Sequence, residues 1–243
     1  MSGPVEIVLV RHGESVRNLS CDMAREGDPT ELVRQMREEQ EESSWPLTEL
    51  GRKQAALAGE WLRKNIEGGY DASYVSPFLR TRETAEGLGL EGLKWEIDDR
   101  LREREWGEYS TEGYKPYTSQ QYLTDLALCA NLDWKTEYPG AESILDMVPR
   151  VEAFLTDAML KTPQGRIIAV THGGTIRAIQ TVLEHLTRGE RLPPDRRLSN
   201  CCVVMYRLSD IDLAHTEWIG EVRTAHPALP DAPETPWEPL GPK

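Results

Sequence analysis

The chain alternates short unbroken apolar runs with longer stretches in which apolar residues recur every three or four positions. Val5-Glu6-Ile7-Val8-Leu9-Val10, Asp71-Ala72-Ser73-Tyr74-Val75-Ser76, Arg166-Ile167-Ile168-Ala169-Val170-Thr171 and residues 199–208 are of the first kind. Runs of this length without strict alternation predict strands covered on both faces. A shorter strand is expected around residues 93–97 and an edge strand at residues 216–222. Three stretches carry the helical period. Thr48 can cap a helix with Leu50, Leu57, Ala58, Trp61 and Leu62 on one stripe. Residues 143–161 place Ile144, Met147, Val151, Phe154 and Leu155 inward, and residues 174–186 do the same with Ile176, Ile179, Val182, Leu183 and Leu186. Pro77 is expected to open a further helix carrying Arg80, Thr81, Thr84 and Ala85.

Strands alternating with helices predict an α/β fold: three layers, α/β/α, around a mostly parallel, doubly wound sheet with an antiparallel edge strand. One domain over residues 1–223 accounts for the pattern. A charged helical insertion interrupts it at about residues 20–45, where Asp28-Pro29-Thr30-Glu31 has the form of a helix start. That helix either packs Leu32, Val33 and Met36 on the body or is simply solvated. A variable region at about residues 108–139 carries Tyr109, Tyr114, Tyr117, Tyr122 and Trp134, and a proline-rich tail of residues 224–243 is expected to be disordered or loosely docked.

Chemistry concentrates where strands end. Arg11-His12-Gly13-Glu14-Ser15 follows the first apolar run, and His172-Gly173-Gly174 follows the run 166–171. In open α/β sheets ligands bind at the carboxyl ends of the strands. A histidine there can attack phosphorus, and an arginine can grip phosphate oxygens with its planar fork. Arg80 stands in the predicted helix after residue 76, with Arg82 competing for its place, and Leu101-Arg102-Glu103-Arg104-Glu105-Trp106-Gly107 supplies two candidate acids, Glu103 and Glu105.

Six ordered blocks make the pattern specific: 9–15 with Asn18, 46–51, 76–85, 101–107, 139–143 and 170–174. Together they resemble the histidine phosphatase superfamily, in its phosphoglycerate-mutase-like branch. The resemblance implies that His12 attacks a phosphate ester and becomes phosphohistidine. Arg11 and Arg80 would offset the phosphate charge while His172 hydrogen-bonds an oxygen. Glu103 would protonate the leaving oxygen and then activate water; such an acid is expected to need a partly desolvated site to hold its proton at neutral pH. Ser15, Asn18, Gly173 and Arg104 would contact the substrate, Asn18 alternatively serving only to brace its loop. No metal or cofactor is implied. The mutase branch continues Tyr-Gly-Gly-Leu after its Glu-Arg, whereas this chain runs Glu105-Trp106-Gly107-Glu108-Tyr109. A phosphomonoesterase is therefore expected before a mutase-type phosphotransferase, and either before a non-catalytic module that binds a phosphorylated ligand.

Composition narrows the partners. A net charge of −13 over 243 residues argues against a nucleic-acid or anionic-membrane surface, so a small phosphorylated substrate must find a local basic pocket. No run approaches the roughly 20 apolar residues of a membrane helix, and residues 1–10 lack a basic start and a cleavage pattern. Cys21, Cys129, Cys201 and Cys202 have no metal-ligand spacing, and Cys201-Cys202 are expected in the core. A reducing cytoplasm fits these features.

Overall fold

The computed structural model describes residues 4–19, 22, 41–105, 141–186, 198–212, 217–229 and 234–240. The helix predicted from Asp28 and the tyrosine-bearing region 108–139 lie outside the described residues.

Seven strands form one sheet in the order β3-β2-β4-β1-β5-β6-β7. They are β1 (Val5–Arg11), β2 (Ala72–Val75), β3 (Glu96–Ile97), β4 (Arg166–Thr171), β5 (Val203–Asp212), β6 (Glu217–Ala225) and β7 (Glu238–Pro239). The pairs β3–β2, β2–β4 and β4–β1 are parallel, and β1–β5, β5–β6 and β6–β7 are antiparallel. The mixed α/β sandwich is the expected class, with its antiparallel part extended over three strands.

The unbroken apolar runs are explained by burial on both faces. Val5, Ile7 and Leu9 of β1 enter one core with α3 (Ile144–Lys161) and α4 (Gly173–Leu183). Val8 and Val10 enter the other with α1 (Glu49–Asn65) and α2 (Leu79–Gly87). Ser143 caps α3 through a reciprocal capping box with Asp146.

Four expectations need correction. The buried face of α1 is Gly51, Ala55, Ala58, Gly59 and Leu62, while Leu50 and Leu57 are exposed. Two glycines let this helix approach backbone directly: a β-carbon on Gly51 would collide with the Glu14 carbonyl, and one on Gly59 with the Leu88 carbonyl. Helix α2 starts at Leu79 rather than Pro77, because the Ser76 hydroxyl accepts from Phe78 N in a turn before it. Strand β5 starts at Val203 rather than Ser199, because Cys202 N bonds back to Ser199 O and Cys201 adopts φ 56°. Finally, β6 is not the edge and runs on to Ala225, two residues into the segment assigned to a loose tail. The tail itself supplies β7, with Leu240 N on Gly220 O and Thr235 N on Thr224 O, both at 2.9 Å. Trp61 Nε1 donates to Glu234 at 2.6 Å, and the Arg207 guanidinium lies 4.0 Å from the Trp237 ring centre.

Gly59→Ala separates backbone contact from helix propensity. Propensity alone favours alanine by about 1 kcal/mol, but overpacking against a backbone carbonyl costs about 1–3 kcal/mol. Urea denaturation should show a net loss of stability. A gain of about 1 kcal/mol would mean that the helix shifts freely away from Leu88.

Candidate active site

The parallel register collects the chemistry at one end of the sheet. Arg11 pairs with Thr171, and Val75 with Val170, so the next residues of three adjacent strands are His12, His172 and Ser76. His12 N bonds Thr171 O at 2.9 Å and Ser76 N bonds Val170 O at 3.0 Å, which holds the three together. Glycine after His12 is required by proximity, since a β-carbon on Gly13 would strike the Gly51 carbonyl.

His12 is buried, and its Nδ1 lies 2.7 Å from Gly13 O. A carbonyl only accepts, so Nδ1 carries the proton and Nε2 keeps its lone pair. Burial holds His12 well below the usual histidine range, helped by the charges of Arg80 and Arg11. The ring is therefore neutral and nucleophilic at neutral pH. His172 is fully buried, and its ring centre stands 5.2 Å from that of His12. Its Nε2 meets Ser76 Oγ at 2.8 Å. With the Ser76 hydroxyl donating to Nε2, the His172 proton sits on Nδ1. Burial, then Arg80, also holds His172 well below its ordinary value.

Arg80, only 1% exposed, is the buried arginine of α2, whereas Arg82 faces solvent. Its Nη1 donates to Glu42 O at 3.0 Å and its Nη2 to Glu42 Oε1 at 3.3 Å, and it lies 4.7 Å from the Phe78 ring centre. Burial pushes it down to about 10, partly offset by Glu42, so it stays charged. Arg11 donates from Nη1 to Leu198 O at 2.5 Å.

One feature of this cluster points to its ligand. Arg11 Nε, Arg80 Nε and His172 Nδ1 are buried with no hydrogen-bond partner among the described residues. Buried donors without partners are costly. Here all three belong to the groups around His12, and an oxyanion would satisfy them together. Helix α4 also begins at this point, with His172 as its N-cap, and a helix N-terminus favours negative charge.

Glu103 and Glu105 point to different surroundings. A β-carbon on Gly174 would collide with Glu103 Oε1, so the carboxylate lies across the first turn of α4, beside His172. Glu105 is exposed; its carboxylate approaches Arg102 at 3.6 Å and its N–H bonds Glu142 at 2.9 Å. Arg150 grips the loop between them, donating to Arg100 O at 2.5 Å and to Glu103 O at 3.4 Å. The Arg104 side chain runs along Gly174, and Gly173 lies against Arg11 Nε. Ser15 is fully buried, and both its N–H and hydroxyl donate to Asn18 Oδ1, at 3.1 and 3.0 Å. In this arrangement Ser15 and the Asn18 oxygen brace the loop.

The family model for the histidine phosphatase superfamily (branch 1) matches residues 7–218. The chain belongs to this superfamily. The 2,3-bisphosphoglycerate-dependent phosphoglycerate mutase of Azorhizobium caulinodans is 30% identical over 217 residues, covering 83% of this chain and 91% of that protein. Among solved structures, a mycobacterial glucosyl-3-phosphoglycerate phosphatase complexed with VO3 aligns with a TM-score of 0.60 and 25% identity, covering 84% of this chain and 92% of that one. The phosphoserine phosphatase of Entamoeba histolytica, complexed with 3-phosphoglyceric acid, shares the fold at a TM-score of 0.61 and 18% identity, over 93% of this chain and 100% of that one. No helix of the described residues is long and apolar enough to cross a membrane.

Four site residues escaped the sequence reading. Thr84 accepts from Gly13 N at 3.0 Å and donates to Arg80 O at 2.6 Å, tying the loop after His12 to α2. Asn200 donates to His12 O at 3.1 Å and to Asn18 Oδ1 at 3.3 Å. Glu42, the third, binds both Arg80 and Arg17, the fourth, whose Nε is 2.7 Å away. Only Thr84 carried a usable signal, sitting one helical turn after Arg80.

The two buried histidines predict a pH dependence of stability. Their folded pKa values are depressed, so the unfolded chain takes up protons that the folded one refuses. Stability is complete above the unfolded value of about 6.5 and falls below it, by up to about 1.4 kcal/mol per pH unit for each histidine. Urea midpoints between pH 7.5 and 5.5 should fall more steeply in the parent than in a His12→Gln, His172→Gln double variant. Equal slopes would mean that both rings accept protons in the folded state.

Proposed function

We propose that this protein is a metal-independent phosphomonoesterase that hydrolyses a small phosphorylated metabolite through a phosphohistidine on His12. The observation that carries the reading is the pairing of a lone pair on His12 Nε2 with three unpartnered groups, Arg11 Nε, Arg80 Nε and His172 Nδ1. A phosphate dianion repels nucleophiles, and these groups offset that charge where the transition state spreads it. His12 Nε2 attacks phosphorus in line as the ester P–O bond breaks. Glu103 hands its proton to the departing alkoxide, which would otherwise be a poor leaving group. Glu103, now a carboxylate, takes a proton from water as that water attacks phosphorus. The P–N bond breaks, and inorganic phosphate and neutral His12 are released.

A mutase reading also has support, since the relative from Azorhizobium caulinodans bears that name. Hydrolysis is preferred because Glu105-Trp106-Gly107-Glu108-Tyr109 replaces the continuation found in the mutase branch. A screen of phosphorylated metabolites, read by released phosphate, identifies the substrate. Turnover of 3-phosphoglycerate that depends on 2,3-bisphosphoglycerate and releases no phosphate would overturn the preference.

Brief exposure to substrate should leave an acid-labile, base-stable phosphoryl group on the enzyme, absent from His12→Ala. Label that persists in the variant removes His12 from the role. Arg80→Ala should slow turnover on the order of 100-fold; near-normal turnover would place the phosphate elsewhere.

Glu103→Gln should slow single-turnover phosphorylation by alkyl phosphates far more than by aryl phosphates, whose phenolates leave without a proton. Gly174→Ala should reproduce that selectivity, because its β-carbon displaces the Glu103 carboxylate while alanine suits the helix. Equal effects on both ester classes, in either variant, would take the acid role from Glu103.

A further inference from the structure

Beyond the short 3-10 turn Asp99–Leu101, the segment that carries Glu103 belongs to no helix or strand. Its carbonyls are nevertheless taken, one after another, by side chains from three other elements. Arg150 of α3 donates to Arg100 O at 2.5 Å. Thr171 of β4 donates to Leu101 O and Thr175 of α4 to Arg102 O, both at 2.7 Å. Arg150 also reaches Glu103 O, at 3.4 Å. A segment without helical or ladder bonds must satisfy its backbone elsewhere, and here the partners decide its path.

The two threonines stand on either side of His172, one residue before it and three after, and both are fully buried. They hold the two carbonyls immediately ahead of Glu103. The direction of the Thr175 hydroxyl is informative. Thr84 and Thr181 turn theirs back onto the carbonyl four residues earlier in their own helices, Arg80 O and Arg177 O. Thr175 instead crosses to Arg102. Threonine is stiff about χ1, so a buried hydroxyl seated in this way restrains the carbonyl it meets. Between these anchors Gly174 leaves the space that the Glu103 carboxylate fills. His172 and Glu103 are therefore both referenced to one stretch of chain, residues 171–175.

We propose that Thr171 and Thr175 are positioning residues for Glu103: their hydroxyls set the backbone just before it and so aim its carboxyl group at the leaving oxygen. In this role neither threonine touches the substrate, and each acts through Glu103. The inference rests on the reading of Glu103 as the acid and adds what keeps that acid in register with His172. A displacement of about 1 Å at a reacting group can slow a reaction on the order of 100-fold, so two hydrogen bonds at this place govern rate as well as stability.

The test is a mutant cycle on the phosphorylation step in single turnover, with glycerol 3-phosphate as the alkyl ester and p-nitrophenyl phosphate as the aryl ester. Thr175→Val, which removes the hydroxyl and keeps the branched shape, should slow the alkyl ester on the order of tenfold and change the aryl ester little. Thr171→Val should do the same. Thr175→Ser, which restores a donor, should return the ratio of the two rates to near the parent value. In a Glu103→Gln background Thr175→Val should add almost nothing to the loss on the alkyl ester, since the acid it positions is already gone. Equal slowing of both esters in the threonine variants, or a loss that adds in full to that of Glu103→Gln, would make the hydroxyls plain structural supports and overturn the proposal. If Thr175→Val does not fold, Thr171→Val carries the same comparison. Glu103→Gln alone separates the two kinds of failure. If it shows no preference between the esters, or if the parent takes phosphate from neither, the reading of the site falls and the positioning role falls with it.

Discussion

The site depends on the parallel pairing of β1 with β4. A one-residue slip would send the alternating sets Val5, Ile7, Leu9 and Val8, Val10 into the wrong cores. Register is therefore enforced by burial over the whole strand. The same register places Arg11 opposite Thr171 and so brings His12 beside His172 without any contact between them having to be favourable. The extra pairing with β2 adds Ser76 under His172. Apolar packing thus supplies the energy that holds two rings and two guanidiniums within reach of one another.

That arrangement carries a cost. Arg80 is buried with an unpartnered Nε, and two neutral histidines are held among arginines. Each is tolerated because a neighbour meets part of the penalty: Glu42 and the Phe78 ring for Arg80, Gly13 O for His12, Ser76 for His172. Arg11 Nε, Arg80 Nε and His172 Nδ1 stay unmet among the described residues, and these three groups lie together around His12. Unpaired polar groups gathered around one side chain are what a ligand site retains at a cost to stability.

Sequence revealed the parts of this design that burial or backbone geometry dictates. Strands β1 and β4 announce themselves because an apolar run buried on both faces must be nearly continuous, and the glycine after each histidine marks the turn. The α1 face stayed hidden because Gly51 and Gly59 pack by absence of a side chain, and hydropathy assigns that no weight. The edge went to β6 because the strand that covers it is two residues long and includes Pro239, which suits an edge but looks like loop. Between Glu103 and Glu105 the pattern of charges could not choose, since the difference lies in which way the backbone turns after Leu101. Glu42 was the least visible. It is one of several glutamates in a polar stretch, and only the folded chain shows which of them meets Arg80.

The charge of the whole chain gives that local arrangement its meaning. At −13 the protein repels an approaching phosphate, but beyond about 8 Å physiological salt screens the repulsion. Recognition of the phosphate must therefore occur inside the site, where screening is weak. There Arg11 and Arg80 each hold an Nε with no partner among the described residues, near the start of α4. Glu42 takes the opposite edge of the Arg80 guanidinium, so attraction for an anion is short-ranged and directed at one point.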